Sequence, residues 1–317
     1  MRILVYGAGV IGCQLAHELN KSKKNEVTIL ARGAWAQTLR EKGLQIRHYI
    51  QLNTTHDIIP VTETLEQDDV YDLIFVVMQQ GQVTGVLPAL AKNSSKYLVF
   101  VGNNLEAPEV EDVITKKCSV KREIAFGFQG SGGRREQDRV VSVHINCGMT
   151  VGALEGELSR EFKKRLREAF TGTGYRLKKE THMDAWLKCH AAFILPACYL
   201  CYQWDGALPK ITKNERYKMM DAIDEAYVML HALGYPIRPD GQREFLINNR
   251  TKCYWIFTLL LKTPIGRLAV SDHAMHAIEE IKTIDQSFEY LRMQAAVPMR
   301  VWNKLREHSN IERLTGK

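Results

Sequence analysis

The sequence contains no run of about twenty uninterrupted apolar residues, which excludes a helix spanning a bilayer. Its most apolar window, Tyr254 to Leu261, is only long enough for a buried core helix. It has no Pro- or Ser-rich linker and no internal repeat, so neither beads on a string nor a solenoid is expected. Cysteine is sparse: seven residues, scattered and odd in number, the pattern of reduced thiols in a cytoplasm. Cys198 and Cys201 have metal-like spacing, but no second Cys/His pair accompanies them. Buried small residues and no metal are expected there. Nothing at the N-terminus has the form of a signal peptide, because the apolar run is short and leads directly into a glycine motif. The expectation is a cytoplasmic protein without membrane partners. Neither sign of charge dominates strongly. The formal net charge is +7, and the basic clusters at Lys116-Lys117, Lys121-Arg122 and Lys163-Lys164-Arg165 carry no nucleic-acid motif. A moderate positive field does suit anionic cofactors and substrates.

What the sequence does contain begins with its first 32 residues. Met1 to Tyr6 is a short apolar run. Gly7-Ala-Gly9-Val-Ile-Gly12 follows, and then a segment with helical spacing at Leu15, Ala16 and Leu19. A second apolar run, Glu26 to Ala31, ends at Arg32. This is strand, glycine turn, helix, strand, the opening unit of a dinucleotide-binding fold. Gly7 permits the sharp turn, Gly9 lets a pyrophosphate approach the backbone, and Gly12 lets the helix lie against the strand. The helix then directs free N–H groups at the phosphates. An ordinary glycine turn is the competing reading, which the flanking elements disfavour. At the tip of the second strand such folds carry an acid for the ribose hydroxyl of NAD or an Arg for the 2′-phosphate of NADP. Arg32 stands there, which predicts NADP unless it is merely a solvated surface residue.

At 317 residues, with 25% charged and 45% hydrophobic residues, two globular domains are expected. A helix is predicted over Ala34 to Lys42, and strands over Leu44 to Ile50 and His56 to Val61. Buried strands follow at Asp72 to Met78 and Tyr97 to Val101, with a helix from Gln82 to Lys92 between them. This alternation predicts a parallel, doubly wound sheet. Gln79-Gln80 and Asn103-Asn104 then fall at strand ends that meet the cofactor crevice. The glycine-rich stretch from Ala125 to Gly133 reads as a loop between strands. Val140 to His144 and Met149 to Leu154 read as strands extending the sheet, and Ser159 to Phe170 as a covering helix. From His182 the pattern is helical. Helices are expected over His182 to Gln203 and Lys213 to Leu233, from an Asp240 cap through Phe257, and from Glu279 to Glu307 with an interruption at Pro298. The expected organisation is a Rossmann-like α/β domain over residues 1–180 and an all-α domain over 181–317. The Met-, Tyr- and Trp-rich helices of the latter suit a homodimer interface.

These features resemble the ketopantoate reductase (2-dehydropantoate 2-reductase) family. They are a GxGxxG with Arg after strand two, an Asn after a later strand, a Lys opening a long helix, and a distant Glu-Ile pair. The resemblance spans nearly the whole chain and is strongest in the first domain. It implies a phosphate loop at Gly7, Gly9 and Gly12, a 2′-phosphate ligand at Arg32, and a nicotinamide and substrate contact at Asn103. It further implies a catalytic lysine at Lys188 and an active-site carboxylate at Glu280, eight residues after Asp272. Pantothenate biosynthesis is implied by the resemblance alone. Several positions depart from the family pattern. Gln79 stands for a Lys, Asn104 for a Gly, Ala192, Pro196 and Gly206 for Asn, Leu268 for a substrate-binding Ser, and Lys282 for an acid. Apolar groups cannot reproduce the lost hydrogen bonds, so a substrate other than ketopantoate is expected.

The resulting expectation is an NADPH-dependent oxidoreductase that reduces a small 2-oxo acid or related carbonyl compound. Lys188, flanked by Ala185, Trp186, Leu187, Ala191 and Ala192, would protonate the carbonyl oxygen or stabilise the alkoxide, with partial desolvation tuning it. Glu280 would position the ammonium or bind a substrate hydroxyl, and Asn103 would orient nicotinamide and carbonyl. The plain alternatives are a snorkelling Lys188, a surface Glu280 and a turn-forming Asn103. His190, two residues from Lys188, faces another side of the helix and reads as structural. The rival function is a non-enzymatic NADP-binding sensor that kept the fold while its substrate pocket decayed.

Overall fold

Three short apolar runs, Arg2–Tyr6 (β1), Leu73–Val77 (β6) and Tyr97–Val101 (β7), form the centre of the N-terminal unit. All five residues of both β6 and β7 are buried. Strands covered on both faces are continuous apolar runs rather than alternating ones. The computed structural model describes residues 1–117, 121–144, 147–263, 266 and 271–314, without the side chains at 117, 272 and 273. The chain divides into two compact units, Met1–Met183 and Asp184–Lys317.

In the first unit, β1 is followed by α1 (Val10–Asn20), β2 (Glu26–Leu30), α2 (Gly33–Lys42), β3 (Leu44–His48), β4 (Asn53–Asp57) and β5 (Val61–Thr62). After β6 come α3 (Gln80–Val83), α4 (Leu87–Lys92), β7 and α5 (Ala107–Lys117). β8 (Glu123–Gln129), β9 (Gly132–Arg135), β10 (Val140–Val143), β11 (Gly148–Gly152), α6 (Arg160–Ala169) and β12 (Arg176–Glu180) complete it. The main sheet has the order β12-β11-β8-β7-β6-β1-β2-β5. It is parallel from β8 to β5, with Val5 opposite both Ile29 and Phe75, and β11 pairs antiparallel with β8. From β1 the chain winds outward to β5, then returns to place β6 on the other side of β1. That reversal is the crevice in which such sheets bind ligands.

A second sheet, ordered β4-β3-β10-β9, packs on α1. The helix therefore lies between β1 and β2 on one side and β3, β9 and β10 on the other. Every residue from Gly12 to Leu19 is buried, including the polar Gln14, His17 and Glu18. The polar groups meet partners from the small sheet and its flanks. His17 Nδ1 lies 2.7 Å from Asp57, the Cys147 thiol donates to Glu18 at 3.2 Å, and the His17, His48 and His144 rings form a chain with centroids 5.3 and 5.5 Å apart.

Several predicted boundaries are corrected. The single strand expected over His56 to Val61 is two strands in different sheets, separated at Pro60. The helix expected over Gln82 to Lys92 is two short ones, α3 and α4. The glycine-rich stretch is not a loop but β8 and β9. β10 belongs to the small sheet rather than extending the large one.

The second unit is helical among its described residues. It contains α7 (Met183–Gln203, which starts at the unit boundary), α8 (Lys213–Ala232), α9 (Gln242–Asn248) and α10 (Arg250–Lys262). α11 (Asp272–His276), α12 (Ile278–Gln294) and α13 (Arg300–Ser309) follow. Asp240 does not cap the helix after it: Gly241, in the left-handed region at φ 74°, is the N-cap, and the expected helix is split into α9 and α10. α8 begins with a capping box between Thr212 and Glu215. The core is aromatic around Tyr199, Tyr227, Phe288 and Trp302, all fully buried. A deeply buried carboxylate, Asp285, accepts from the Tyr199 hydroxyl at 2.6 Å and from two nitrogens of Arg306 at 2.8 and 2.9 Å. Glu225 of α8 accepts the Val301 and Trp302 N–H groups and so caps α13, whose own N-cap residue Met299 has no side-chain acceptor. No helix is long and apolar enough to cross a membrane, and no group of three or more His, Cys, Asp or Glu among the described residues could hold a metal ion.

Candidate functional site

The glycine motif lies where β1 passes into α1, and two of its glycines are sterically enforced. Gly7 has φ 117°, and a Cβ on it would stand 2.1 Å from the Val77 carbonyl oxygen. A Cβ on Gly12 would stand 1.9 Å from the Gly7 carbonyl oxygen. The third glycine, Gly9, is different: it is exposed, and a Cβ there would meet nothing within 4 Å. Space beside Gly9 is open for a ligand, while Gly7 and Gly12 shape the loop that leaves it open. The loop is tied from behind. The Trp35 indole N–H of α2 donates to the Ala8 carbonyl at 2.9 Å, and the Arg135 guanidinium lies over the Trp35 ring at 5.3 Å.

Gly9 caps α1 without a side-chain hydrogen bond, and the first turn holds no acid. The first intrahelical bond is Cys13 N–H to Gly9 carbonyl at 2.9 Å. The N–H groups of Val10, Ile11 and Gly12 therefore have no acceptor within the helix. Together with the positive end of the helix dipole they match a dinucleotide pyrophosphate. The residues present fit that group.

Arg32 follows β2 and caps α2. It is exposed, and it donates to the Tyr6 hydroxyl at 2.9 Å. Sequence spacing missed a nearby carboxylate. Glu63, just beyond β5, accepts the Gly33 N–H at 3.3 Å and pairs with Arg40 at 2.7 Å. The Arg40 hydrogen bond, with that from Gly33, holds its carboxyl below the usual range. β5 is two residues long, too short to signal from sequence that it would bring Glu63 beside β2.

On the other side of β1, the ends of β6 and β7 converge. Gly102 has φ 144°, and a Cβ on it would lie 2.9 Å from the Met78 carbonyl oxygen. A small pocket there is lined by Val76, Met78, Val83, Phe100, Val101, Gly102, Asn103 and Asn104. Asn103 and Asn104 are buried, at 8% and 5% exposure. Gln79 caps α3 without a side-chain hydrogen bond, and Gln80 accepts the Leu105 N–H at 2.9 Å, tying the two strand exits together.

In the second unit, Lys188 is buried on α7. Its ammonium donates to the Asp184 carboxylate one turn earlier and lies 4.9 Å from the Tyr235 ring centroid. Asp184 was missed in the sequence, although an acid four residues before a lysine on one helix is a readable signal. Trp186 and His190 stack with centroids 5.2 Å apart. Glu280, in the first turn of α12, is also buried. Burial pushes the Cys198 thiol and the Tyr202 hydroxyl up, and the negative field of Glu280 adds to both. Ala192 is fully buried and Pro196 lies inside α7. Gly206 has φ 76°, and its carbonyl accepts from the buried Ser271 hydroxyl at 2.9 Å, a contact that sequence positions did not signal. Leu268 and the Asp272 side chain lie outside the described residues.

Comparison with known proteins finds the same fold and a partial family match. The model of the family described as ketopantoate reductase PanE/ApbA matches residues 3–156. D-mandelate dehydrogenase, solved as a ternary structure with NADH and anilino(oxo)acetate, has a similar fold. It shows 18% identity and a TM-score of 0.74, over 98% of this chain and 97% of that one. The 2-dehydropantoate 2-reductase of Geobacter metallireducens GS-15 shows 14% identity and a TM-score of 0.72, over 98% and 99%. That of Porphyromonas gingivalis W83 shows 16% and 0.69, over 97% and 98%. Over residues 3–156 the chain is similar to the ketopantoate reductase family, and the solved structures share its fold at low identity. No curated protein sequence matches the chain.

Proposed function

We propose that the protein is an NADPH-dependent reductase of small 2-oxo acids, and that its substrates carry an apolar side chain. The observation that carries this reading is the buried Lys188, a cation held by one carboxylate on an otherwise apolar stretch of helix. When bound, the nicotinamide cofactor supplies the hydride. The chain's own residues do the rest. The loop at Gly7, Gly9 and Gly12 receives the pyrophosphate, and Arg32 receives the 2′-phosphate, with Glu63 already committed to Arg40. Asn103 orients the nicotinamide and the substrate carbonyl. Lys188 gives a proton to the carbonyl oxygen as negative charge develops there, and Asp184 keeps the ammonium in place. Glu280 is the second carboxylate of the catalytic set. Ala192 and Pro196 favour an apolar substituent, because a hydroxyl buried beside them would lack a partner. The fold shared with D-mandelate dehydrogenase, an enzyme solved with an oxo-acid-like ligand, agrees with this substrate class.

The test follows NADPH oxidation across a panel of 2-oxo acids with aliphatic, aromatic and hydroxylated side chains, using wild type and Lys188→Ala. Turnover of the apolar members, lost in Lys188→Ala, is expected. No turnover with any member, or an equally active variant, overturns the chemistry. Tight NADPH binding without turnover would favour the sensor reading.

A further inference from the structure

The adenosine and nicotinamide ends of a dinucleotide lie on opposite sides of the pyrophosphate. With the pyrophosphate at Gly9 and Arg32 at the end of β2, the sheet order sends the nicotinamide end across β6 and β7. The chain leaves β7 through Gly102, Asn103 and Asn104, pressed against the exit of β6 at Met78. Asn104 is 5% exposed and lines the pocket between these exits. Its Oδ1 accepts the Glu106 N–H at 3.1 Å. A backbone N–H can be met only by the oxygen of the carboxamide, so this bond fixes which way the amide faces. The nitrogen Nδ2 is left buried with no acceptor among the described residues. A buried donor without a partner is costly, and a native protein rarely keeps one that nothing ever satisfies.

We propose that Asn104 donates this N–H to a carbonyl-type oxygen of the bound ligand and is a specificity-determining residue of the site. The inference rests on the reductase reading above. The same chemistry is available from two sources, the carboxamide oxygen of the nicotinamide and the carboxylate or carbonyl oxygen of the oxo acid. The glycine that the family pattern has at this position offers no side-chain donor, so the contact is a property of this chain rather than of the pattern it resembles.

Two variants separate the donor from the local turn. Asn104→Asp keeps an acceptor for the Glu106 N–H but removes the donor, and Asn104→Ala removes both. Four quantities are read: dissociation constants for NADPH and for 2′-phospho-ADP-ribose, which lacks the nicotinamide, and KM and kcat for the best oxo acid. If the acceptor is the carboxamide, both variants bind NADPH about tenfold more weakly, as the loss of one buried hydrogen bond implies, and bind 2′-phospho-ADP-ribose as wild type does. If the acceptor is the oxo acid, NADPH binding holds while KM rises about tenfold with kcat preserved. Either result supports the proposal. It is overturned if NADPH affinity and KM both stay within twofold of wild type, or if binding of 2′-phospho-ADP-ribose falls in parallel, which would make Asn104 a structural amide. Wild type that binds NADPH yet turns nothing over removes the reductase reading but leaves the cofactor arm decisive. Wild type that binds no NADPH overturns both.

Discussion

The Lys188 ammonium and the Asp184 carboxylate form an ion pair across one turn of α7, with side chains only 3% and 11% exposed. Breaking such a pair from one side leaves the other charge buried alone, at a cost of about 3–5 kcal/mol. Asp184→Asn should therefore destabilise the second unit by an amount near that range, measured by denaturant unfolding. Replacing both charges together, Asp184→Leu with Lys188→Met, should fold within about 1–2 kcal/mol of wild type, because a well-packed apolar pair can substitute for a buried ion pair. That double variant should also show no NADPH turnover. A stable double variant that still reduces oxo acids would separate Lys188 from the chemistry.

The three motif glycines should respond differently to alanine. Gly12→Ala drives a Cβ to within 1.9 Å of a backbone carbonyl, and Gly7→Ala adds positive-φ strain to a similar clash. Both should lose several kcal/mol or fail to fold. Gly9→Ala meets no protein atom, so its melting temperature should match wild type while NADPH binds at least about tenfold more weakly. Calorimetry paired with a cofactor titration reads both quantities. A Gly9→Ala protein with normal affinity would place the pyrophosphate elsewhere.

Arg32→Ala should weaken NADPH by about tenfold or more and leave NADH almost unchanged, since a single exposed charge-assisted contact to the 2′-phosphate is worth about 1.5–3 kcal/mol. Glu63→Gln should act in the opposite direction, improving NADPH modestly by removing a negative charge beside β2. Dissociation constants at fixed ionic strength for both cofactors decide these outcomes. Tighter binding of NADH than NADPH by wild type would reverse the cofactor assignment.

His48 and His144, packed beside α1, should make stability fall in acid. His48 is lowered to about 4, first by burial and then by His17, His144 and Lys21, against a raising effect of Glu18. His144 is also lowered, by burial first. The surrounding charges are Glu18 of α1, Lys21 at its C-cap and Asp57 of β4. The unfolded chain takes up the His48 proton near pH 6.5, whereas the native state resists it down to about pH 4. The unfolded state thus binds more protons across this interval, and stability drops as pH falls from about 6.5 toward 4. Melting temperatures between pH 7.5 and 4.5 should show the slope. His48→Gln, which does not titrate, should flatten it, and an unchanged slope would remove His48 as its source.

The legible parts of the sequence were those with one dominant signal. β6 and β7 are apolar on both faces, and the glycine loop sits between unambiguous elements. β3 and β10 were legible as strands, but their membership of a second sheet was not, because periodicity does not say which strands pair. β4 is Asn-Thr-Thr-His-Asp, and its information resides in β3, with which it pairs. The glycines of β8 and β9 were misread as a loop, yet they mark close approach. A Cβ on Gly127 would strike the Met149 sulfur at 2.6 Å, and one on Gly133 the Val141 carbonyl oxygen at 2.0 Å. At the candidate site, motif spacing pointed to Arg32, and the family resemblance pointed to Lys188 and Glu280. Asp184, four residues before Lys188 on one helix, was readable from spacing, whereas Tyr6, Tyr235 and the free donor of Asn104 depend on side-chain directions that no spacing rule supplies.

Because α1 is walled in on both sides from Gly12 to Leu19, it has no outward face on which substitutions can accumulate independently. The phosphate loop, the helix and the strands β3, β9 and β10 therefore form one heritable block. A chimera that imports the glycine loop and α1 from a relative should fold only if the small sheet travels with them. Among relatives, changes at Gln14, His17 and Glu18 should be matched by changes at Cys147, His48 and Asp57.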